Sequence, residues 1–284
     1  MKTKAMFYEK HRDKIHCFLC PHNCVIEHGH FGKCKVRIHE DGELFTLNYG
    51  EVTSSALDPI EKKPLYYFRP GSYIFSVGSF GCNFTCSFCQ NYPISQYKAQ
   101  SDFVPKEDLA KIALTMERNI GIAFTYNEPS IWYEYVYDTA KYLKEMDKNK
   151  VVVLVTNGYI NEEPLRKLMP YVDAMNIDLK SFNNDYYKEL CNGRLQPVLK
   201  TIEVASRMCH IEVTTLLVSD NNDSIEEVEE IAKFLSNIDP DIPLHLSRYF
   251  PMYQLDKPPT DIGFMQEAYH IAKKHLNFVN LGNV

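Results

Sequence analysis

Cys82-Asn83-Phe84-Thr85-Cys86-Ser87-Phe88-Cys89 is the stretch on which the reading of this chain turns. Three cysteines at x3 and then x2 spacing, introduced by Gly81 and followed by Gln90-Asn91, are one thiolate short of filling a cubane iron–sulfur cluster. Four thiolates close such a cluster and suit it to electron transfer. With three, one iron keeps open positions where a substrate or cofactor can bind. A zinc site would need a fourth ligand, and no Cys or His stands next to Cys89 to provide it. A disulfide framework would leave one thiol over, and inert core cysteines would not sit among glycine and asparagine.

The loop follows an apolar, β-rich run at Tyr73–Val77. Similar runs recur at Gly121–Thr125, Val151–Thr156, Ala174–Leu179, Glu212–Val218 and Pro243–Leu246. Segments of helical spacing lie between them. One carries Ile225, Val228, Ile231, Ala232 and Leu235 behind a capping box of Ser224 and Glu227; another starts behind Pro105. Strands apolar on both faces, alternating with helices, predict an α/β fold with a parallel sheet and right-handed crossovers. Six units predict a partial (β/α)6, TIM-like barrel, with an open doubly wound sheet as the rival. Phe278–Leu281 would add an edge strand.

The 284 residues suffice for a full core, and 45% hydrophobic with 24% charged residues is ordinary for a globular protein. A net charge of −6 disfavours nucleic acid as a partner. No apolar run has signal-peptide or membrane-spanning length, so nine cysteines read as cytoplasmic thiols used for metal.

Three regions are expected: a Cys-rich subdomain over 1–50, a proline-punctuated linker over 51–72 and the barrel over 73–284. The first holds six of the ten histidines and an alternating hairpin about Asp41-Gly42. It also holds Cys17-x2-Cys20-x3-Cys24-x9-Cys34, four thiols that could close a zinc site or hold a second iron–sulfur cluster. His16, His22, His28 and His30 are substitute ligands or merely solvated. Cys191 and Cys209 are isolated and read as structural.

Ligands of parallel α/β folds gather at the carboxyl ends of strands. Here those ends carry Thr125-Tyr126-Asn127-Glu128-Pro129, Thr156-Asn157-Gly158, Asp178-Leu179-Lys180, Thr214-Thr215, and His245 with Ser247 and Arg248. Asp178 and Lys180, two apart, face one side and read as a functional pair or a structural ion pair. Glu128 reads as a ligand or as a helix N-cap before Pro129. His245 reads equally as a site or a core residue, and Arg248 offers a fork to a carboxylate.

The cysteine loop, with aromatic Phe88 before its last thiol, resembles the cluster motif of radical S-adenosylmethionine (SAM) enzymes. The resemblance implies a [4Fe–4S] cluster on Cys82, Cys86 and Cys89 whose open iron chelates SAM. Reductive cleavage of SAM would then yield a 5′-deoxyadenosyl radical that abstracts hydrogen from a substrate. Asn127-Glu128-Pro129 stands where that superfamily has Gly-Gly-Glu, so Glu128 is expected to meet the methionyl ammonium. Phe88, Asn127, Thr156, Asn157, Asp178, Lys180, Thr214, His245 and Arg248 complete the expected SAM site, with Asp178 and Lys180 as candidate catalytic residues. Activases of glycyl radical enzymes have an acid before their Thr-Asn-Gly for a monovalent cation; here the position is Val155.

Cys17-Phe18-Leu19-Cys20-Pro21-His22, Asp58-Pro59-Ile60-Glu61-Lys62-Lys63-Pro64-Leu65 and the terminal Gly282-Asn283-Val284 resemble the AmmeMemoRadiSam branch, related to pyruvate formate-lyase activating enzymes. That resemblance implies a protein or peptide substrate, a flavodoxin or ferredoxin reductant and AmmeMemo-type partner proteins. The alternatives are a small-molecule substrate, or a non-enzymatic iron–sulfur carrier or zinc interaction module.

Overall fold

A computed structural model describes residues 2–284. Eight strands form the main sheet: β1 Ser54–Pro59, β2 Tyr73–Gly78, β3 Asn119–Phe124, β4 Val151–Thr156, β5 Ala174–Asp178, β6 His210–Leu217, β7 Leu244–Arg248 and β8 Val279–Gly282. They lie side by side in chain order; β1 is antiparallel to β2 and every later neighbour is parallel. A doubly wound sheet reverses its strand order at a switch point. This sheet never reverses, and its two edges do not pair with each other, so it is a partial barrel.

Six helices make the crossovers: α1 Lys106–Thr115, α2 Tyr133–Met146, α3 Glu162–Leu168, α4 Leu195–Ala205, α5 Ile225–Ile238 and α6 Ile262–Ala272. They bury one face of the sheet, where Ile122, Phe124, Val152, Leu154 and Ile177 meet helix residues such as Val136, Val198 and Val228. The opposite face of the same strands carries Ile74, Ala123, Val153 and Ala174, which pack with Ile60 and Leu65. The segment after β1 therefore plugs the amino end of the barrel and leaves the carboxyl end for a site.

Local signals behave as their chemistry requires. Ser224 accepts the N–H of Glu227 at 3.2 Å and caps α5. The Glu227 carboxylate does not complete the box; it holds the Ser181 hydroxyl and the Phe182 N–H beyond β5. The hairpin pairs Arg37–Glu40 with Glu43–Thr46, and both Asp41 and Gly42 take positive φ, as a tight primed turn demands.

Residues 51–72 are not a plain linker. Ser54–Pro59 joins the sheet as β1, because an edge strand needs one pairing partner and tolerates a polar composition. Strand limits shift slightly: β6 starts at His210 and β7 runs on to Arg248.

Candidate SAM and cluster site

At the carboxyl end of the strands, a cavity of about 270 Å³ is lined by Cys82, Cys86 and Cys89. Phe88, Asn127, Glu128, Val155, Thr156, Asn157, Asp178, Lys180 and Thr214 also reach it. The structure thus brings together residues of five strand ends.

The thiols are free. Cys82 Sγ receives the Phe84 N–H at 3.3 Å and Asn157 Nδ2 at 3.6 Å; Cys89 Sγ shares a hydrogen bond with Ser95 Oγ at 3.2 Å. Burial pushes the Cys82 and Cys89 thiols up, Cys82 strongly, with the Glu128 carboxylate adding to it. Cys86 is held down, first by a hydrogen bond from the Cys191 thiol and then by the Lys180 cation, which together outweigh its burial. Such thiols ionise when a cation binds them. Among the described residues no three His, Cys, Asp or Glu side chains are drawn in around one metal-ion position. Three free thiols of one loop that line one cavity of this size suit a cubane cluster with one iron left open by the protein.

Glu128 has the expected capping role and also lines the cavity. Its carboxylate caps the short turn Pro129–Ile131 through the Ser130 N–H at 2.9 Å, and accepts the Thr156 hydroxyl at 2.6 Å and the Asn157 N–H at 2.8 Å. Burial raises its pKa in spite of these bonds. Asn157 in turn donates to Asn83 Oδ1 at 2.9 Å. Asn127 spends its amide on the cluster loop, accepting the Ser79 N–H at 2.9 Å and donating to Gly81 O at 3.1 Å.

Lys180 Nζ lies 2.7 Å from Asp178 Oδ2. Burial would lower the ammonium, but Asp178 and Cys86 outweigh it and hold its pKa above the ordinary value. Thr214 exchanges hydrogen bonds with Asn176 at the cavity floor.

Two expected ligands fall outside the cavity. His245 Nε2 bonds Glu212 Oε2 at 2.7 Å, beneath Tyr66 and among the residues of the plug. Arg248 gives its Nε–H to Thr260 O at 2.8 Å and lies over the Phe250 ring.

Other residues went unread in the sequence. Tyr126 lines the cavity at φ +70° with its hydroxyl on Asp58 Oδ2 at 2.9 Å. Ser247 and Asn283 line it too, bonded to each other at 3.0 Å. Cys191 is not isolated. It ends a π-turn over Tyr187–Cys191 whose carbonyls take the N–H groups of Thr85 and Ser87, both at 3.0 Å, so the turn braces the cluster loop.

The sequence matches the radical SAM superfamily over residues 76–235, more than half of the chain and all of the cluster loop. The chain belongs to the radical SAM superfamily. It is an enzyme of a family that uses a [4Fe–4S] cluster and SAM. An uncharacterized protein of Methanocaldococcus jannaschii is 42% identical over 99% of this chain and 85% of that protein. A second protein of that organism, named provisionally as a glycyl-radical enzyme activating enzyme, is 31% identical over 71% of this chain and 78% of its own length. The crystal structure of Streptococcus suis SuiB bound to precursor peptide SuiA is similar in fold, with a TM-score of 0.57 at 16% identity over 72% of this chain and 47% of that one. Among the described residues no helix is long and apolar enough to cross a membrane.

Proposed function

We propose that this radical SAM enzyme cleaves SAM at a [4Fe–4S] cluster held by Cys82, Cys86 and Cys89, and takes hydrogen from a residue of a protein or peptide. The convergence of three free thiols with Glu128, Asn157, Asp178 and Lys180 on one cavity carries this reading. When bound, the cluster supplies the electron and an open iron for the methionyl end of SAM. The chain's own residues do the positioning. Glu128 fixes Thr156 and Asn157, and Asn157 holds its amide on Cys82. Lys180 offers a fixed cation to a carboxylate, and Asp178 an acceptor to an ammonium.

A macromolecular substrate is supported by the relative named for glycyl-radical enzyme activation. The AmmeMemoRadiSam motifs point to partner proteins of that system, and a flavodoxin or ferredoxin fits as reductant. Anaerobically reconstituted protein given dithionite and SAM should release 5′-deoxyadenosine and methionine. Protein with an intact cluster that releases neither would sink the proposal.

A further inference from the structure

Against a net charge of −6, one open cleft of about 400 Å³ carries only positive charge. Lys33, Lys188 and Arg194 line it together with His22, Tyr159 and Gly193, and no acidic residue does. All three cations are exposed. Lys33 and Arg194 form no ion pair among the described residues. Lys188 has Asp185 at 2.9 Å, but both partners stand in solvent, where such a pair is worth little. Arg194 is held at the rim by Pro21 O at 2.7 Å. Burial keeps His22 below its ordinary pKa, and the Lys33 and Arg194 charges add to that, so the imidazole brings no charge of its own. Cations of one sign around a cleft focus their field into it.

Behind the cleft stands the cluster loop. Phe84, between Cys82 and Cys86, lines the cavity of the three thiols. The same ring presses on Gly193, so closely that an added Cβ there would stand 2.3 Å from Phe84 Cε1. One aromatic side chain thus reaches from the cleft wall to the thiols. His22 Nε2 meets Asn83 O at 2.7 Å, and Asn83 Nδ2 donates to Tyr159 O at 2.7 Å. His22 and Lys33 also border the small pocket of Cys17, Cys20, Cys24 and Cys34, so the cleft adjoins both sets of thiols. The cleft and the cluster cavity share no lining residue, and a partner seated in one leaves the other open.

We infer that this cleft docks the electron donor, a one-electron carrier protein that presents an acidic face. The inference rests on the proposed cluster at Cys82, Cys86 and Cys89. Reductive cleavage takes one electron per SAM from outside; the carrier gives it up and is left one electron more oxidised. A carrier in the cleft has the Phe84 ring and the Asn83 backbone between itself and the thiols, while the substrate keeps the cavity. Exposed cations around an open cleft suit a broad acidic surface, because they speed encounter and set orientation.

Titration of the anaerobically reconstituted protein with an oxidised flavodoxin and with an oxidised ferredoxin, at low and high ionic strength, tests the assignment. At least one carrier should bind wild type, and more weakly as salt rises. Lys33→Glu combined with Lys188→Glu should weaken that binding about tenfold or more at low salt, and slow electron transfer from the reduced carrier alongside. Lys141→Glu combined with Lys233→Glu makes the same change of net charge on exposed positions of α2 and α5, and should bind as wild type. Dithionite should reduce the cluster alike in all three. Wild type that dithionite reduces but neither carrier binds overturns the inference, as does binding that ignores salt. Unchanged affinity in the Lys33, Lys188 variant overturns it too. So does a loss that the α2–α5 variant shares equally, because net charge and not the cleft would then be responsible. Cluster-loaded wild type that dithionite cannot reduce overturns the reading of the cluster itself, and this inference with it.

Discussion

The buried carboxylate of Glu128 accepts the backbone N–H of Asn157 at 2.8 Å, across the gap between β3 and β4. Two further donors, Thr156 Oγ1 and the Ser130 N–H, point at the same group. Glu128→Gln replaces one acceptor oxygen with an amide donor and leaves at least one of these buried donors facing another. A cost of about 1–3 kcal/mol follows. The variant should retain its iron, unfold at lower urea and bind SAM more weakly. An unaltered urea midpoint would show that the hydrogen bonds are not made.

Gly81 sets where Cys82 stands. Its φ of +90° already strains any residue with a Cβ, and the added atom would collide with Val36 and crowd the Cys34 carbonyl. Gly81→Ala should lose more than about 1 kcal/mol of stability. It should also bind less iron at the three-cysteine loop, because the loop must shift away from β2. Equal iron content and equal melting temperature would argue against that tight contact.

Asp58 explains why the run Asp58–Leu65 is so distinctive. Its carboxylate receives Lys63 Nζ at 2.8 Å and the Tyr126 hydroxyl at 2.9 Å, beneath the cavity wall. The ammonium also lies 4.7 Å from the centroid of the Tyr126 ring. Asp58→Asn leaves the buried Lys63 cation without its counter-charge, at a cost of about 3–5 kcal/mol. The loss should appear in chemical unfolding, and SAM affinity should fall with it, because Tyr126, which lines the cavity, is tied down by this hydrogen bond. A variant that binds SAM normally would detach Tyr126 from the site.

The barrel was legible because its strands are β-branched and apolar on both faces, as in Val151–Val155. The cysteine loop was legible because ligand number is a matter of spacing. Height along a strand was not. His245 and Ser247 share a face by parity, yet a rise of about 3.3 Å per residue separates their levels by roughly two residues' length. Ser247 lines the cavity while His245 reaches the plug. Arg248 has the opposite parity and leaves that face. Cys191 lay beyond sequence reasoning because its partner, Cys86, is brought to it only when the π-turn folds against the cluster loop. The edge strand β1 was missed because its composition is that of a loop.

His245 leads to a prediction at the far end of the barrel. Its partner Glu212 also receives His210 Nε2 at 3.0 Å and the backbone N–H groups of Tyr66 and Tyr67 at 2.9 and 2.8 Å. Burial alone would raise this carboxyl. The two histidines and the backbone donors outweigh burial and hold it at about 2 against an ordinary 4.5. Folding therefore favours the charged form. The stability it contributes is complete above the ordinary value and drains as pH falls from 4.5 towards 2. The gap corresponds to about 3 kcal/mol at neutral pH. Glu212→Gln should forfeit about that much near neutrality, and the difference from wild type should shrink on acidification as the wild-type carboxylate protonates. Urea unfolding of both proteins from about pH 6 to about pH 3 measures it. A difference that stays constant across that range would mean that the Glu212 charge does not hold the plug in place.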